Sequence, residues 1–220
     1  MRLTDVSPPG EPVTFPSGDL TIEGLFHRPA AAPHPAVVVC HPHPLFGGDM
    51  HNSVVVAVCR ALLEVNIAAL RFNFRGVGGS LGRFGDGVGE RADAIAALAY
   101  LRRSEGVDPA RVGIVGYSFG AAVALMAAAE EEVATLAAIS PPNVGHVMPP
   151  AAIRCPTFLI TGDADDVARP AHVGSLAEAL GSECRVEVVP GADHFWWGHE
   201  DRLAKAVARF FGDCLATVGR

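Results

Sequence analysis

Short apolar runs alternate with helix-like segments along most of the chain, and this alternation constrains the fold more than any other feature. Ala36–Cys40 is a continuous apolar run of strand length, which is typical of a strand buried on both faces. Asp49–Glu64 then has apolar residues at helical spacing, and the same order repeats as far as a closing helix at His199–Ala216. Strands that alternate with helices predict an α/β fold with a mainly parallel, doubly wound sheet of about eight strands and helices on both faces.

The two ends of this pattern define the domain organisation. Pro12–Pro29 reads as two strands joined by a turn at Ser17–Asp19, so residues 12–29 are predicted to form an N-terminal β-hairpin. A length of 220 residues suits one substantial core, and we expect residues 1–220 to form a single domain. Only about 16 residues separate the strands predicted at Val133–Ser140 and Thr157–Thr161, so no cap domain is expected there.

Charge and cysteine content exclude several classes of function. The chain has 17 Lys and Arg against 24 Asp and Glu, a net charge of −7, which disfavours nucleic acid and anionic membranes as partners. No run approaches the roughly 18 apolar residues that span a bilayer, and the N-terminus lacks the apolar segment of a secretory signal. Five scattered cysteines without a Cys-x-x-Cys pair predict reduced thiols and a cytoplasmic protein. The oligomeric state stays open.

A Gly-x-Ser-x-Gly motif at Gly116–Gly120 lies between the strand predicted at Arg111–Tyr117 and an Ala-rich helix that begins at Phe119. A sharp turn between a strand and a helix lifts its central side chain above the edge of the sheet, which predicts Ser118 as a nucleophile. The start of the helix also directs the Phe119 N–H toward a reacting carbonyl, as in an oxyanion hole. The alternative is a serine that only caps the helix.

Three segments together resemble a known family. His41–Gly48, Arg71–Gly78 and Gly116–Gly120 are similar to segments of small bacterial α/β hydrolases that lack a cap and are related to the dienelactone-hydrolase-like group. The resemblance covers nearly the whole chain and implies the α/β-hydrolase fold with a triad in the order Ser, acid, His. The true dienelactone hydrolases have a cysteine nucleophile. Because this chain has Ser118, the resemblance does not imply their lactone chemistry.

The same resemblance implies the other two members of the triad. The catalytic histidine of the superfamily follows the last strand, where this chain has His194. The acid follows the preceding strand, where three carboxylates are available, and the family pattern Gly-x-x-Asp selects Asp165. Asp163 is then interpreted as a turn residue that bonds nearby backbone, and Asp166 as a cap of the following segment.

A second oxyanion donor is expected in the loop after Ala36–Cys40. Many relatives have His-Gly-x there, whereas this chain has two prolines, which have no N–H to donate. The candidates are therefore the N–H groups of His43, which the alignment favours, and of Leu45. His41 and His43, with Asp49, could in principle ligate zinc. We expect no metal and no cofactor, because no third ligand has the spacing of a metal site.

An open cleft without a lid would be walled by apolar side chains from several loops. The predicted wall residues are Phe46, Val144, Met148, Phe195 and Trp196, whereas Trp197 could pack in the core. The Gly-rich segment Arg75–Ser80 is interpreted as a tight turn that carries Arg75 into structural hydrogen bonds, and not as a phosphate-binding loop.

These features predict a serine carboxylesterase that acts on small or medium soluble esters through an acyl-enzyme. Its partner is a small ester, with neither nucleic acid nor membrane. A thioesterase, an amidase or an acyltransferase could use the same triad. From another class, a non-catalytic binding protein could retain the scaffold.

Overall fold

The computed structural model describes residues 10–30, 32–143 and 152–216. In this part of the chain, eight strands form one sheet in the order β1-β2-β4-β3-β5-β6-β7-β8. They are β1 (Glu11–Ser17), β2 (Leu20–His27), β3 (His34–Cys40), β4 (Ala68–Phe72), β5 (Val107–Tyr117), β6 (Leu136–Ile139), β7 (Thr157–Gly162) and β8 (Cys184–Val189). The hairpin of β1 and β2 pairs antiparallel, β2 pairs antiparallel with β4, and all other pairs are parallel. The predicted mainly parallel sheet and the N-terminal hairpin are confirmed.

Five helices cover both faces of the sheet. They are α1 (Ser53–Glu64), α2 (Val88–Arg103), α3 (Phe119–Glu130), α4 (Pro170–Leu180) and α5 (Glu200–Ala216). The buried side chains of α1 and α5 form one apolar cluster with one face of the sheet, and those of α2, α3 and α4 form a second cluster with the other face. The fold is that of an α/β hydrolase without a cap, because residues 140–156 are all that connects β6 to β7.

Most element boundaries lie within a few residues of the predicted ones, but β5 begins at Val107 instead of Arg111 and β6 is shorter than the predicted Val133–Ser140. The strand predicted at Ile67–Phe74 ends at Phe72, and the two residues that follow it have different hydrogen-bond partners. The Asn73 N–H donates to the carbonyl of Glu23, and the Phe74 N–H donates to the ring of His41. These bonds tie the segment after β4 to the middle of β2 and to the loop after β3.

The topology brings three separate parts of the sequence to one edge of the sheet. Strands β5, β6, β7 and β8 are parallel neighbours, so the segments that follow β5, β7 and β8 all begin at the same edge. Ligands of open α/β sheets bind at this carboxyl edge. Among the described residues, no helix is long and apolar enough to cross a membrane.

Candidate active site

The turn between β5 and α3 holds Ser118 in a backbone conformation that few residues adopt. Its φ of 55° and ψ of −118° lie outside the regions that ordinary L-residues favour. Glycine is required on both sides. A Cβ on Gly116 would lie 1.9 Å from the carbonyl oxygen of Gly120, and a Cβ on Gly120 would lie 2.4 Å from that of Cys40. The two glycines therefore let α3 start directly against β5 and β3.

Ser118, His194 and Asp165 form a continuous chain of hydrogen bonds. Ser118 Oγ lies 2.9 Å from His194 Nε2, and His194 Nδ1 lies 3.0 Å from each carboxylate oxygen of Asp165. These distances suit proton transfer from the hydroxyl to the imidazole. The carboxylate accepts the Nδ1–H, which leaves Nε2 free to accept the serine proton. The structure thus brings Ser118, which its motif predicted, together with the two residues that the family resemblance implied.

The Asp165 side chain is fully buried and has several hydrogen-bond donors. The Val167 and Ala168 N–H groups donate to its Oδ1 at 2.9 and 2.7 Å. Burial alone would raise the pKa of Asp165, but the hydrogen bonds from His194, the Ala168 N–H and Ser140 outweigh it and lower the pKa below its ordinary value. The carboxylate is therefore ionised beside the imidazole at neutral pH.

The two neighbouring carboxylates face elsewhere. Asp163 Oδ1 accepts the Gly191 N–H at 2.7 Å, so it ties the loop after β7 to the loop that carries His194. The sequence predicted a bond within its own turn, whereas the partner of Asp163 lies 28 residues further along the chain. Asp166 is exposed to solvent.

The prediction for the two tryptophans is wrong. Trp196 was expected in the pocket wall, but its side chain is fully buried in the core, whereas 79% of Trp197 is exposed. The Trp196 ring N–H donates to Ser140 Oγ at 2.9 Å, and Ser140 in turn supports the carboxylate of Asp165. Trp196, two residues after His194, has a φ of 61°. This left-handed backbone points neighbouring side chains in directions that neither a helical nor a strand pattern predicts.

The loop after β3 is fixed by the buried ring of His41. One ring nitrogen, Nδ1, donates to the carbonyl of Pro42 at 2.6 Å, and Nε2 accepts the Phe74 N–H at 3.1 Å. Burial lowers the pKa of His41 to about 4, so the ring is neutral at neutral pH. With both nitrogens bonded to backbone, His41 has none left for a metal ion, which removes a ligand from the zinc alternative.

The backbone N–H groups near Ser118 differ in whether they already donate a hydrogen bond within the protein. The Leu45 N–H donates to His43 Nδ1 at 3.2 Å, and by this bond the His43 side chain caps the short 3₁₀ helix at Pro44–Phe46. The N–H groups of His43 and Phe119 donate to no acceptor within the part of the chain that the structure describes. The rings of these two residues lie 4.8 Å apart, so the two segments are in contact. His43 is therefore a better candidate for the second donor than Leu45.

The Gly-rich segment after β4 has the structural role that the sequence predicted. The guanidinium of Arg75 forms hydrogen bonds with both carboxylate oxygens of Asp93 in α2, at 3.0 and 2.7 Å, and the Asp93 side chain is fully buried. The Arg75 N–H also donates to the same carboxylate. Arg75 thus anchors the loop instead of binding a phosphate.

Of the other four predicted wall residues, the structure describes two. Phe46 and Phe195 are exposed, at 87% and 61%, whereas Val144 and Met148 lie outside the described residues. The sequence missed Phe84, whose ring centroid is 5.7 Å from that of Phe119. Phe84 belongs to an irregular loop, so no periodic pattern could have indicated its position.

Comparison with known proteins places this chain among hydrolases. A sequence model of the Dienelactone hydrolase family matches residues 85–215. An uncharacterized protein of Rickettsia prowazekii is 35% identical over 90% of this chain and 85% of its own length.

Two solved structures extend the similarity to the fold. A structure from Xanthomonas campestris, described as an α/β serine hydrolase without lid, is 33% identical with a TM-score of 0.80 and covers 91% of this chain and 93% of its own. A structure described as an α/β serine hydrolase homologue from Coxiella burnetii is 30% identical with a TM-score of 0.80, over 94% and 99% of the two chains.

Proposed function

The chain is a hydrolase that belongs to the Dienelactone hydrolase family, and from this premise we propose that it is a serine carboxylesterase for small or medium esters. The observation that carries the proposal is the hydrogen-bonded chain from Ser118 Oγ through His194 to Asp165. Ser118 is the nucleophile, His194 the general base and Asp165 the acid that orients the imidazole.

In the acylation step, Ser118 Oγ attacks the ester carbonyl carbon while its proton moves to His194 Nε2. The carbonyl oxygen becomes an oxyanion, which the N–H groups of Phe119 and His43 stabilise. Asp165 stabilises the imidazolium that forms. The tetrahedral intermediate then breaks its bond to the alcohol oxygen, which takes the proton from His194 and leaves.

In the deacylation step, His194 accepts a proton from a water molecule, and the hydroxide oxygen attacks the acyl-enzyme carbonyl. The bond to Ser118 Oγ then breaks, the serine recovers its proton from His194, and the carboxylic acid is released. Thioesters and amides would follow the same steps with a different leaving atom, and an acyltransferase would replace the water with an alcohol.

The absence of a cap favours substrates that are small and dissolved. The connection between β6 and β7 is too short for a lid that would bury a long acyl chain. The net charge of −7 favours neutral esters over acidic ones. The five cysteines are free, in keeping with a reducing compartment such as the cytoplasm.

The proposal is tested by labelling with a fluorophosphonate and by hydrolysis of p-nitrophenyl butyrate. Ser118→Ala should abolish labelling and lower kcat by about 10⁴-fold or more, because removing the nucleophile disables the whole triad. Ser175→Ala, at an exposed position in α4, is the matched control and should keep both signals. Labelling that persists in Ser118→Ala would reject Ser118. A wild-type protein that is neither labelled nor active would instead favour the non-catalytic binding protein.

A further inference from the structure

Four aromatic rings lie together beside Ser118, and the catalytic steps proposed above use none of them. They belong to His43, Phe46, Phe84 and Phe119, which we call the aromatic platform. The ring centroid of His43 lies 4.8 Å from that of Phe46, 5.1 Å from that of Phe84 and 4.8 Å from that of Phe119. Phe119 directly follows Ser118, and the N–H of His43 is the candidate second oxyanion donor, so the aromatic platform adjoins the turn that carries the nucleophile.

The platform has support from the core on one side and is partly open to solvent on the other. Behind it, the fully buried ring of Phe74 packs against Phe119 at 5.9 Å and an interplanar angle of 88°. Phe46 is 87% exposed, and the other three rings are only half-buried. Exposed aromatic surface that adjoins a reactive group marks a ligand site, because a bound apolar group would release the water that covers it.

The loop that carries Phe84 is anchored on both sides of this residue. Before it, Arg75 is paired with the buried carboxylate of Asp93. After it, the buried carboxylate of Glu90 accepts the N–H groups of Gly85 and Gly87, both at 2.8 Å. These bonds hold Phe84 against His43 without a ligand, so the loss of conformational entropy of this loop on substrate binding is small.

We propose that the aromatic platform binds a flat, conjugated ring in the acyl or the alcohol part of the ester, which makes aryl esters the substrate class of this site. The proposal rests on the proposed function. Aromatic rings gain attraction from offset-stacked or edge-to-face contacts that a saturated ring of similar size cannot make. Phe84 is then a specificity-determining residue that takes no part in the chemistry.

Two pairs of esters distinguish the acyl side from the alcohol side. Ethyl benzoate is compared with ethyl cyclohexanecarboxylate, and phenyl acetate with cyclohexyl acetate. For each ester, kcat/KM of Phe84→Leu is divided by that of the wild type, which cancels the intrinsic reactivity of the ester. In at least one pair, Phe84→Leu should lower kcat/KM for the aromatic ester about two- to tenfold more than for its saturated partner, because leucine fills a similar volume without a ring.

Further variants separate this effect from a general disturbance. Phe84→Tyr should keep the preference of the wild type. Phe46→Leu changes an exposed side chain that contributes little to folding and should lower the preference in the same pair. Trp197→Leu, at an exposed aromatic residue outside the platform, should not change it.

If Phe84→Leu and Phe46→Leu lower kcat/KM equally for both esters of each pair, or lower it for none, the proposal that the aromatic platform binds an aromatic ring is wrong. If these esters are still hydrolysed in a reaction that Ser118→Ala abolishes, the serine esterase proposal survives that result. A wild type that hydrolyses no ester and resists a fluorophosphonate would overturn both proposals.

Discussion

At the scale of single residues, two carboxylates that lie two positions apart have different surroundings. Asp165 is buried and bonded to His194, whereas Asp163 accepts one backbone N–H, from Gly191. The difference arises in the turn after β7, which directs the first carboxylate along the sheet edge toward Gly191 and the second toward the imidazole. Local sequence gives both residues the same chemistry, and only their hydrogen bonds separate their roles.

This contrast yields a matched pair of substitutions. Asp165→Asn should lower kcat by about 10⁴-fold, because the amide cannot stabilise the imidazolium and favours the wrong ring tautomer. Asp163→Asn retains an oxygen that can accept the Gly191 N–H, so its kcat should stay within about threefold of the wild-type value, or about 0.6 kcal/mol. Steady-state hydrolysis of p-nitrophenyl butyrate measures both. An inactive Asp163→Asn with an active Asp165→Asn would reverse the assignment of the acid.

At the scale of elements, the close approach of α3 to the sheet sets the position of the nucleophile. The carbonyl oxygens of Cys40 and His41 would lie 2.4 and 2.5 Å from a Cβ on Gly120. Backbone atoms of a central strand cannot yield as a flexible side chain can. A larger residue would therefore displace α3, together with the Phe119 N–H at its start.

Alanine substitutions at two helical glycines, one against the sheet and one away from it, test whether the close approach of α3 is required. Gly120→Ala should lower the free energy of unfolding by at least about 2 kcal/mol, because the added methyl overlaps backbone. Apart from the backbone of its own helix, nothing in the described part of the chain lies within 4 Å of a Cβ added to Gly174 in α4. Gly174→Ala should therefore raise the free energy of unfolding by up to about 1 kcal/mol, since alanine favours helix. Urea denaturation at neutral pH measures both changes. Equal effects would show that the approach of α3 is not limiting.

At the scale of the whole molecule, the buried neutral ring of His41 couples folding to pH. Its pKa is lowered from 6.5 to about 4 by burial. As the pH falls below 6.5, the unfolded chain binds a proton at His41 and the folded chain does not. The contribution of this group to stability is therefore complete above pH 6.5 and falls by about 3 kcal/mol as the pH approaches 4.

Urea denaturation at pH 7 and pH 5 measures this coupling. From pH 7 to pH 5, the free energy of unfolding of the wild type should fall by about 2 kcal/mol more than that of His41→Gln, whose side chain does not titrate. His172→Gln replaces an exposed histidine of α4 and should keep the wild-type difference. If His41→Gln loses as much stability as the wild type, the buried ring is not the origin of the acid sensitivity.

Local patterns in the sequence were enough to predict the order of strands and helices and the turn at Ser118. Apolar periodicity depends only on neighbouring residues, and the Gly-x-Ser-x-Gly turn lies between a strand and a helix that are both evident from composition. The anchoring role of Arg75 was also predictable, since its Gly-rich segment lacks the features of a phosphate loop. The family resemblance supplied His194 and Asp165, which periodicity alone does not single out.

Only the tertiary structure decided which side chains face the cleft. Trp196 and Trp197 are adjacent and alike, yet a left-handed backbone at Trp196 buries one and exposes the other. Phe84 reaches the site from an irregular loop, and the Leu45 N–H is used by the ring of His43. The physical reason is that side-chain direction in turns depends on backbone angles and on hydrogen bonds to distant segments. Neither of these produces a periodic pattern of residues in the sequence.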